Sequence, residues 1–102
     1  MSIVSTVKFL KKYNNGYQRP MAVCADGFSL SIQASKMHYC SPRVNLASCE
    51  YTKVELGCLS DKEEELLPYA ENESRPKFTV YGYVPVETVD AVLAKHGGIV
   101  NA

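Results

Sequence analysis

Residues 20–33, Pro-Met-Ala-Val-Cys-Ala-Asp-Gly-Phe-Ser-Leu-Ser-Ile-Gln, decide the fold class. Two short runs of strand-forming residues flank Asp26-Gly27. An Asp-Gly pair at the centre of a two-residue turn suits the type I′ geometry, which needs positive φ at both positions and matches the twist of paired strands. That turn sets a register, with Ala25 opposite Phe28, Val23 opposite Leu30 and Met21 opposite Ile32. One face of the hairpin is then wholly apolar, and the other carries Ala22, Cys24, Ser29, Ser31 and Gln33. Such alternation places one face on a core and the other in water.

Downstream, Ala34 to Glu50 shows neither a helical nor a strand period, and it concentrates Lys36, His38, Tyr39, Cys40, Ser41, Arg43, Asn45 and Cys49. A compact domain rarely keeps a structureless connection of that length unless it is functional or disordered. The 34–50 loop is therefore the first place to look for a site. Tyr51 to Cys58 alternates again, with Val54, Leu56 and Cys58 opposite Lys53 and Glu55. Ser60-Asp61-Lys62-Glu63 reads as a capping box opening a helix, which Pro68 should end or kink. Lys77 to Val84 predicts a fourth strand, with Phe78 and Val80 on one face and Thr79, Tyr81 and Tyr83 on the other. Pro85 suits the first turn of a last helix, whose stripe is Val86, Val89 and Leu93 and whose stop is Gly97-Gly98.

Upstream of the hairpin, a first helix starts at Ser2 or Ser5 and ends near Tyr13. Ile3, Val7 and Leu10 form its stripe, and Asn14-Asn15-Gly16 stops it. The order αββ–loop–βαβα predicts an α+β fold: a four-stranded, mainly antiparallel sheet with about three helices packed on one face.

With 102 residues, 46% apolar and 22% charged, the chain fits one globular domain over 1–102, with no room for a separate substrate domain. Its apolar runs fall far short of the roughly 20 residues that a membrane helix needs. Met-Ser-Ile-Val-Ser-Thr-Val lacks the features of a secretory signal, so the expectation is a cytoplasmic protein that does not engage membrane. Cys24, Cys40, Cys49 and Cys58 then read as reduced thiols. The formal net charge is zero, yet residues 1–50 hold six Lys/Arg against two Asp/Glu and residues 51–102 five against nine. Such polarity allows head-to-tail pairing as a homodimer or an acidic face toward a basic partner, unless the halves interleave.

His38 and Cys40, two apart, would point the same way on an extended segment, as a base and a nucleophile do. A loop His beside a loop Cys is the blander explanation. Zinc sites usually announce themselves by Cys pairs two to four residues apart, and no such pair exists here, so no metal or other cofactor is expected. Arg43, with Tyr39 and Asn45 nearby, suits phosphate or carboxylate, unless it forms a salt bridge to the acidic half. Ser31, Gln33, Tyr81 and Tyr83 on the water-facing side of the sheet would extend that site. Lys8, Lys11, Lys12 and Arg19 with Tyr13 and Tyr17 make a small basic, aromatic patch. Without an overall positive excess it does not predict nucleic-acid binding.

Lys-Lys-Tyr-Asn-Asn-Gly-Tyr (11–17), Asp-Gly-Phe-Ser-Leu-Ser-Ile-Gln-Ala (26–34), His-Tyr-Cys-Ser-Pro-Arg (38–43) and Val-Tyr-Gly-Tyr-Val-Pro-Val-Glu (80–87) together resemble a group of small bacteriophage and prophage proteins. The resemblance implies a phage protein acting inside a bacterium by binding, for instance on a host defence component or a defence-signalling nucleotide. It carries no catalytic residue. The leading expectation is therefore a non-enzymatic counter-defence protein that inhibits or modulates a host bacterial protein through Tyr39, Arg43, His38 and Asn45 and the adjoining sheet face. A sponge for a small nucleotide, built from Tyr39, Arg43, Tyr81 and Tyr83, is the first alternative, and a small enzyme using His38 and Cys40 the second.

Overall fold

The computed structural model describes residues 5–14 and 18–101. Its elements are α1 (Thr6–Lys12), β1 (Ala22–Val23), β2 (Ser29–Gln33), β3 (Lys53–Gly57), a 3₁₀ helix (Glu64–Tyr69), β4 (Tyr81–Pro85) and α2 (Val86–Lys95). The strands form an antiparallel meander in the order β1-β2-β3-β4. The fold is thus of the expected α+β class.

The hairpin forms one residue away from the expected register, with Ala22 opposite Leu30 and Val23 opposite Ser29. Its turn holds three residues, closed by Gly27 N–H donating to Cys24 O at 2.9 Å and Cys24 N–H to Phe28 O at 2.8 Å. Gly27 takes φ +95° and Asp26 does not follow it into the left-handed region. Asp26 Oδ1 instead accepts from Phe28 N–H at 2.9 Å, an Asx turn. Asp-Gly serves this three-residue connection as readily as a type I′ turn. The slip turns β1 over: Ala22 and Cys24 join Phe28, Leu30 and Ile32 in the core, while Met21 and Val23 are half-buried.

Helices α1 and α2 pack on each other, α1 also on β2 and α2 on β4. Thr6, Phe9 and Leu10 are the buried positions of α1, so its stripe is rotated from the expected one. Ile3, Asn15 and Gly16 lie outside the described residues. Ser5 caps α1, accepting from Lys8 N–H at 3.2 Å. Asp90 of α2 accepts from the Thr6 N–H at 2.8 Å and the Thr6 hydroxyl at 2.6 Å, placing a carboxylate at the positive end of the helix dipole. Helix α2 buries Val89, Val92 and Leu93 and is left through Gly97 and Gly98, whose φ values are +87° and +84°. The chain then runs beside β1. Val100 N–H donates to Val23 O at 2.8 Å, and the Asn101 side chain bonds Val23 N–H and Met21 O at 2.9 and 2.8 Å, covering a sheet edge.

Other expected elements change. Ser60 pairs with the sheet, its hydroxyl accepting from Ser29 N–H and its own N–H donating to Ser29 O, both at 2.9 Å. No capping box forms, and the segment becomes a 3₁₀ helix that contains Pro68. Cys58 lies exposed beyond the end of β3 with φ +51°. Strand β4 starts only at Tyr81, and Phe78 sits in the preceding turn, 78% exposed. Within β4, Val84 pairs with Val54 and Tyr81 with Leu56, so Gly82 and Tyr83 share the place opposite Glu55. This bulge breaks the alternation. Tyr81 consequently enters the core together with Val84, and Tyr83 stays outside.

The second face of the sheet is covered, contrary to the expected water-facing side. Ser31 and Gln33 are buried. Gln33 Oε1 accepts from Arg19 N–H at 2.9 Å, and Gln33 Nε2 donates to Arg19 O at 2.8 Å and Ser31 Oγ at 3.0 Å. Farther along the same face, Tyr39 N–H donates to Glu55 Oε1 at 3.0 Å, and Tyr83 N–H to Tyr39 O at 2.9 Å. Alternation shows which residues share a face; here the segment at Arg19 and the long loop decide that the face is dry at Ser31 and Gln33.

Candidate functional site

Between β2 and β3 the chain forms no helix or strand, apart from the bridge of Ser41 to Lys53, and holds its shape through polar side chains. Ser35 Oγ accepts from Met37 N–H at 3.0 Å and pairs with His38 Nδ1 at 2.7 Å. Asn45 Oδ1 accepts from Lys36 N–H at 3.1 Å. The Tyr51 hydroxyl donates to Val44 O at 2.7 Å and accepts from Leu46 N–H at 2.9 Å. These bonds satisfy backbone groups that no ladder reaches, and they hold the loop's side chains in defined positions.

Two expected site residues, Tyr39 and Arg43, meet a third, Tyr83, on the surface. The Tyr39 and Tyr83 rings lie 5.9 Å apart between centroids, and the Arg43 guanidinium stands 5.0 Å over the Tyr39 ring. A cation over a ring face is attracted by its quadrupole. Tyr83 is held at φ +54°, a backbone region that costs a bulky residue on the order of 1–2 kcal/mol. Gly82 permits the approach: a Cβ there would stand 3.3 Å from Tyr39 Cβ. Met37, 74% exposed, and Val44 add apolar surface from the same loop. All Asp and Glu residues lie among the described residues, and none pairs with Arg43, so the salt bridge to the acidic half does not form. Lys36, Arg43 and Lys53 stand against Glu50 in this stretch and Glu55 of β3, which accepts from Tyr39 N–H beneath the patch.

The remaining expected residues go elsewhere. Tyr81 is in the core, its hydroxyl donating to Pro76 O and its pKa raised by burial. Ser31 and Gln33 are under the Arg19 segment. His38 and Asn45 line a separate cleft of about 330 Å³ with Arg19. A pocket of Tyr39, Arg43, Tyr81 and Tyr83 therefore does not assemble. Nor do His38 and Cys40 form a base–nucleophile pair. The Cys40 thiol is buried, donates to Ser35 O at 3.1 Å and Pro42 O at 3.5 Å, and has its pKa raised chiefly by desolvation. Among the described residues no group of three or more His, Cys, Asp or Glu is placed to hold a metal ion. The basic, aromatic patch on the first helix is also broken, because Arg19 is buried and the Tyr13 hydroxyl donates to Asn101 O; Tyr17 lies outside the described residues.

Two groupings had no signal in local sequence pattern. Arg19 is only 6% exposed, with Nε donating to Leu10 O at 3.1 Å and Nη1 to Ala34 O at 2.9 Å. The other is a junction at His96. Its ring stacks on Phe28 at 4.0 Å and 11°, its Nδ1 pairs with Asp26 Oδ2 at 2.6 Å, and its Nε2 pairs with Glu63 Oε1. Glu63, 3% exposed, also receives Lys95 Nζ at 2.8 Å. Burial lowers the His96 pKa, but the bonds and charges of Asp26 and Glu63 outweigh it and leave the imidazole above its ordinary value. The partners come from the hairpin turn, the start of the 3₁₀ helix and the end of α2, far apart in the chain, which no local reading joins.

Among the described residues no helix is long and apolar enough to cross a membrane. Comparison with protein-family models, with curated proteins and with solved structures finds no match, so the geometry of the loop and its surroundings carries the functional reading.

Proposed function

We propose that this chain is a non-enzymatic binding protein that docks its Tyr39–Arg43–Tyr83 patch onto an acidic surface of a partner protein. Following the resemblance to phage and prophage proteins, we assign that partner to the bacterial host, with a defence component as the first candidate and inhibition as the outcome. The observation that carries the reading is a fixed, exposed pair of tyrosines under an arginine that forms no ion pair with any Asp or Glu of the chain. Tyr and Arg dominate interface hot spots because they supply large contact area and directional donors at low entropic cost. Backbone strain at Tyr83 supports the same reading, since such strain concentrates at functional positions. The buried, protonated Cys40 thiol supports a non-enzymatic role.

The test is affinity capture from a bacterial lysate with the wild-type chain, Arg43→Glu and Tyr39→Ala, each first shown to be folded. The expected result is one acidic protein retained by the wild type, lost from both variants, and released as salt rises. Equal capture by all three chains rules out the patch.

A further inference from the structure

We infer that the cleft beside Arg19 is a binding site for a phosphate-bearing small molecule, distinct from and independent of the docking patch. The cleft, of about 330 Å³, is lined by Asn14, Gln18, Arg19, Ser35, His38 and Asn45 among others, and among the described residues no carboxylate lines it. That volume lies at the lower end of small-molecule sites.

Its central feature is a buried positive charge whose acceptors among the described residues are all neutral. Leu10 O and Ala34 O fix Nε and Nη1, and Nη2 makes two long contacts, 3.4 Å to Asn14 Oδ1 and 3.7 Å to Cys49 Sγ. Leu10 O belongs to the C-terminal turn of α1, where the helix dipole offers a partial negative charge. A partial charge does not neutralise a guanidinium, and among the described residues no carboxylate lies within ion-pair distance of Arg19. A buried charge without a counter-charge is costly, and an anion entering the cleft would supply the missing partner.

The surrounding groups offer donors. Asn45 Oδ1 is engaged by Lys36 N–H, which leaves its amide N–H₂ available. Ser35 Oγ accepts from Met37 N–H and pairs with His38 Nδ1; in the tautomer whose Nδ1 accepts the Ser35 proton, Nε2 carries the ring proton and is a donor. The Gln18 side chain is exposed at the rim. Donors at several angles around one positive charge suit a tetrahedral phosphate, which accepts in all directions, better than a planar carboxylate.

The experiment is an NMR titration of the full chain at fixed pH and ionic strength, reading the Arg19 Nε–H and the His38 ring, with His96 as the internal control. Inorganic phosphate, adenosine 5′-monophosphate and acetate are the probes, and chloride balances ionic strength. Saturable shifts at Arg19 and His38 with phosphate or the nucleotide, absent with acetate and at His96, are expected. The nucleotide binding more tightly than phosphate would point to a phosphorylated metabolite as the ligand, and the reverse to free phosphate. Arg19→Gln removes the charge but risks the fold, because Arg19 ties α1 to the end of β2. Gln18→Glu, at the exposed rim, is the second variant and should weaken binding roughly tenfold. Absence of saturable shifts, equal shifts with acetate, or an unweakened Gln18→Glu would overturn the inference. The docking patch would be untouched by that outcome, since it shares none of the residues read.

Discussion

At the His96 junction every charge has a partner, whereas among the described residues Arg43 in the long loop has no ion-pair partner and Arg19, beneath it, meets only neutral acceptors. The junction sandwiches one imidazole between Asp26 and Glu63, stacks it on Phe28, and adds Lys95 on the far oxygen of Glu63. Three segments distant in sequence are tied there. The loop spends its polar side chains on its own backbone and leaves an aromatic pair and a guanidinium facing out. Paired charge under an apolar stack is the mark of a fold-holding contact. Charge without a partner beside exposed rings is the mark of a surface that something else completes.

Variants on each side test the contrast. The largest effect on stability belongs to the junction. His96→Ala removes the stack and both carboxylate bonds and leaves Glu63 buried with Lys95 alone, so urea unfolding should show a loss of roughly 2–4 kcal/mol. A loss well under 1 kcal/mol would mean that the junction is incidental. Asp90→Ala, which uncaps α1 from α2, should cost about 1–2 kcal/mol in the same measurement.

The junction also gives stability a pH dependence. His96 is raised above 6.5, so its contribution is complete below 6.5 and is lost as pH rises through the higher folded value. Asp26, lowered from 3.8 first by the Phe28 N–H and then by His96, contributes fully above 3.8 and loses that share as pH falls through its folded value. Stability measured by urea should therefore crest between these limits and decline on the alkaline side, and His96→Ala should remove the alkaline decline. An unchanged slope in that variant would assign it to another group.

On the loop side, effects on stability should be small and effects on capture large. Tyr83→Gly relieves the positive φ, so stability should hold or rise by up to about 1 kcal/mol while partner capture disappears. Arg43→Glu should stay within about 0.5 kcal/mol of the wild type and also lose capture. A large loss of stability in either variant would make the patch part of the frame.

Much of the frame was legible because it rests on local pattern. Alternation in β2 and β3 and Gly97-Gly98 after α2 stand where residue chemistry places them, while Pro85, expected in the first turn of α2, is its N-cap and the last residue of β4. The failures share one physical cause, which is that distant contacts choose between local options of similar energy. Asp26-Gly27 fits both a two- and a three-residue turn, and the bond from Asp26 to His96 goes with the latter. Ser60 is a fine helix cap, yet Ser29 offers it a place on the sheet. Tyr81 and Tyr83 would share a face without the bulge at Gly82, and with it they part. The loop stood out by its length and content, and Tyr39, Arg43 and Tyr83 do meet on the surface beside it. Ser31 and Gln33 lost their expected exposure because Arg19, which looked like one more surface cation, lies over them.

The central claim is that the Tyr39 patch, and not some other exposed aromatic surface, meets the partner. Phe78 provides the control, being more exposed than Tyr39 and lying beside its own arginine, with Arg75 5.6 Å from the ring. The most direct measurement replaces Tyr39, or separately Phe78, by the photoreactive p-benzoylphenylalanine and irradiates bacterial cells producing each chain. Crosslinking to one acidic protein from position 39 and not from position 78 is the expected result. Crosslinking from position 78 alone, or equally from both positions, would contradict the account.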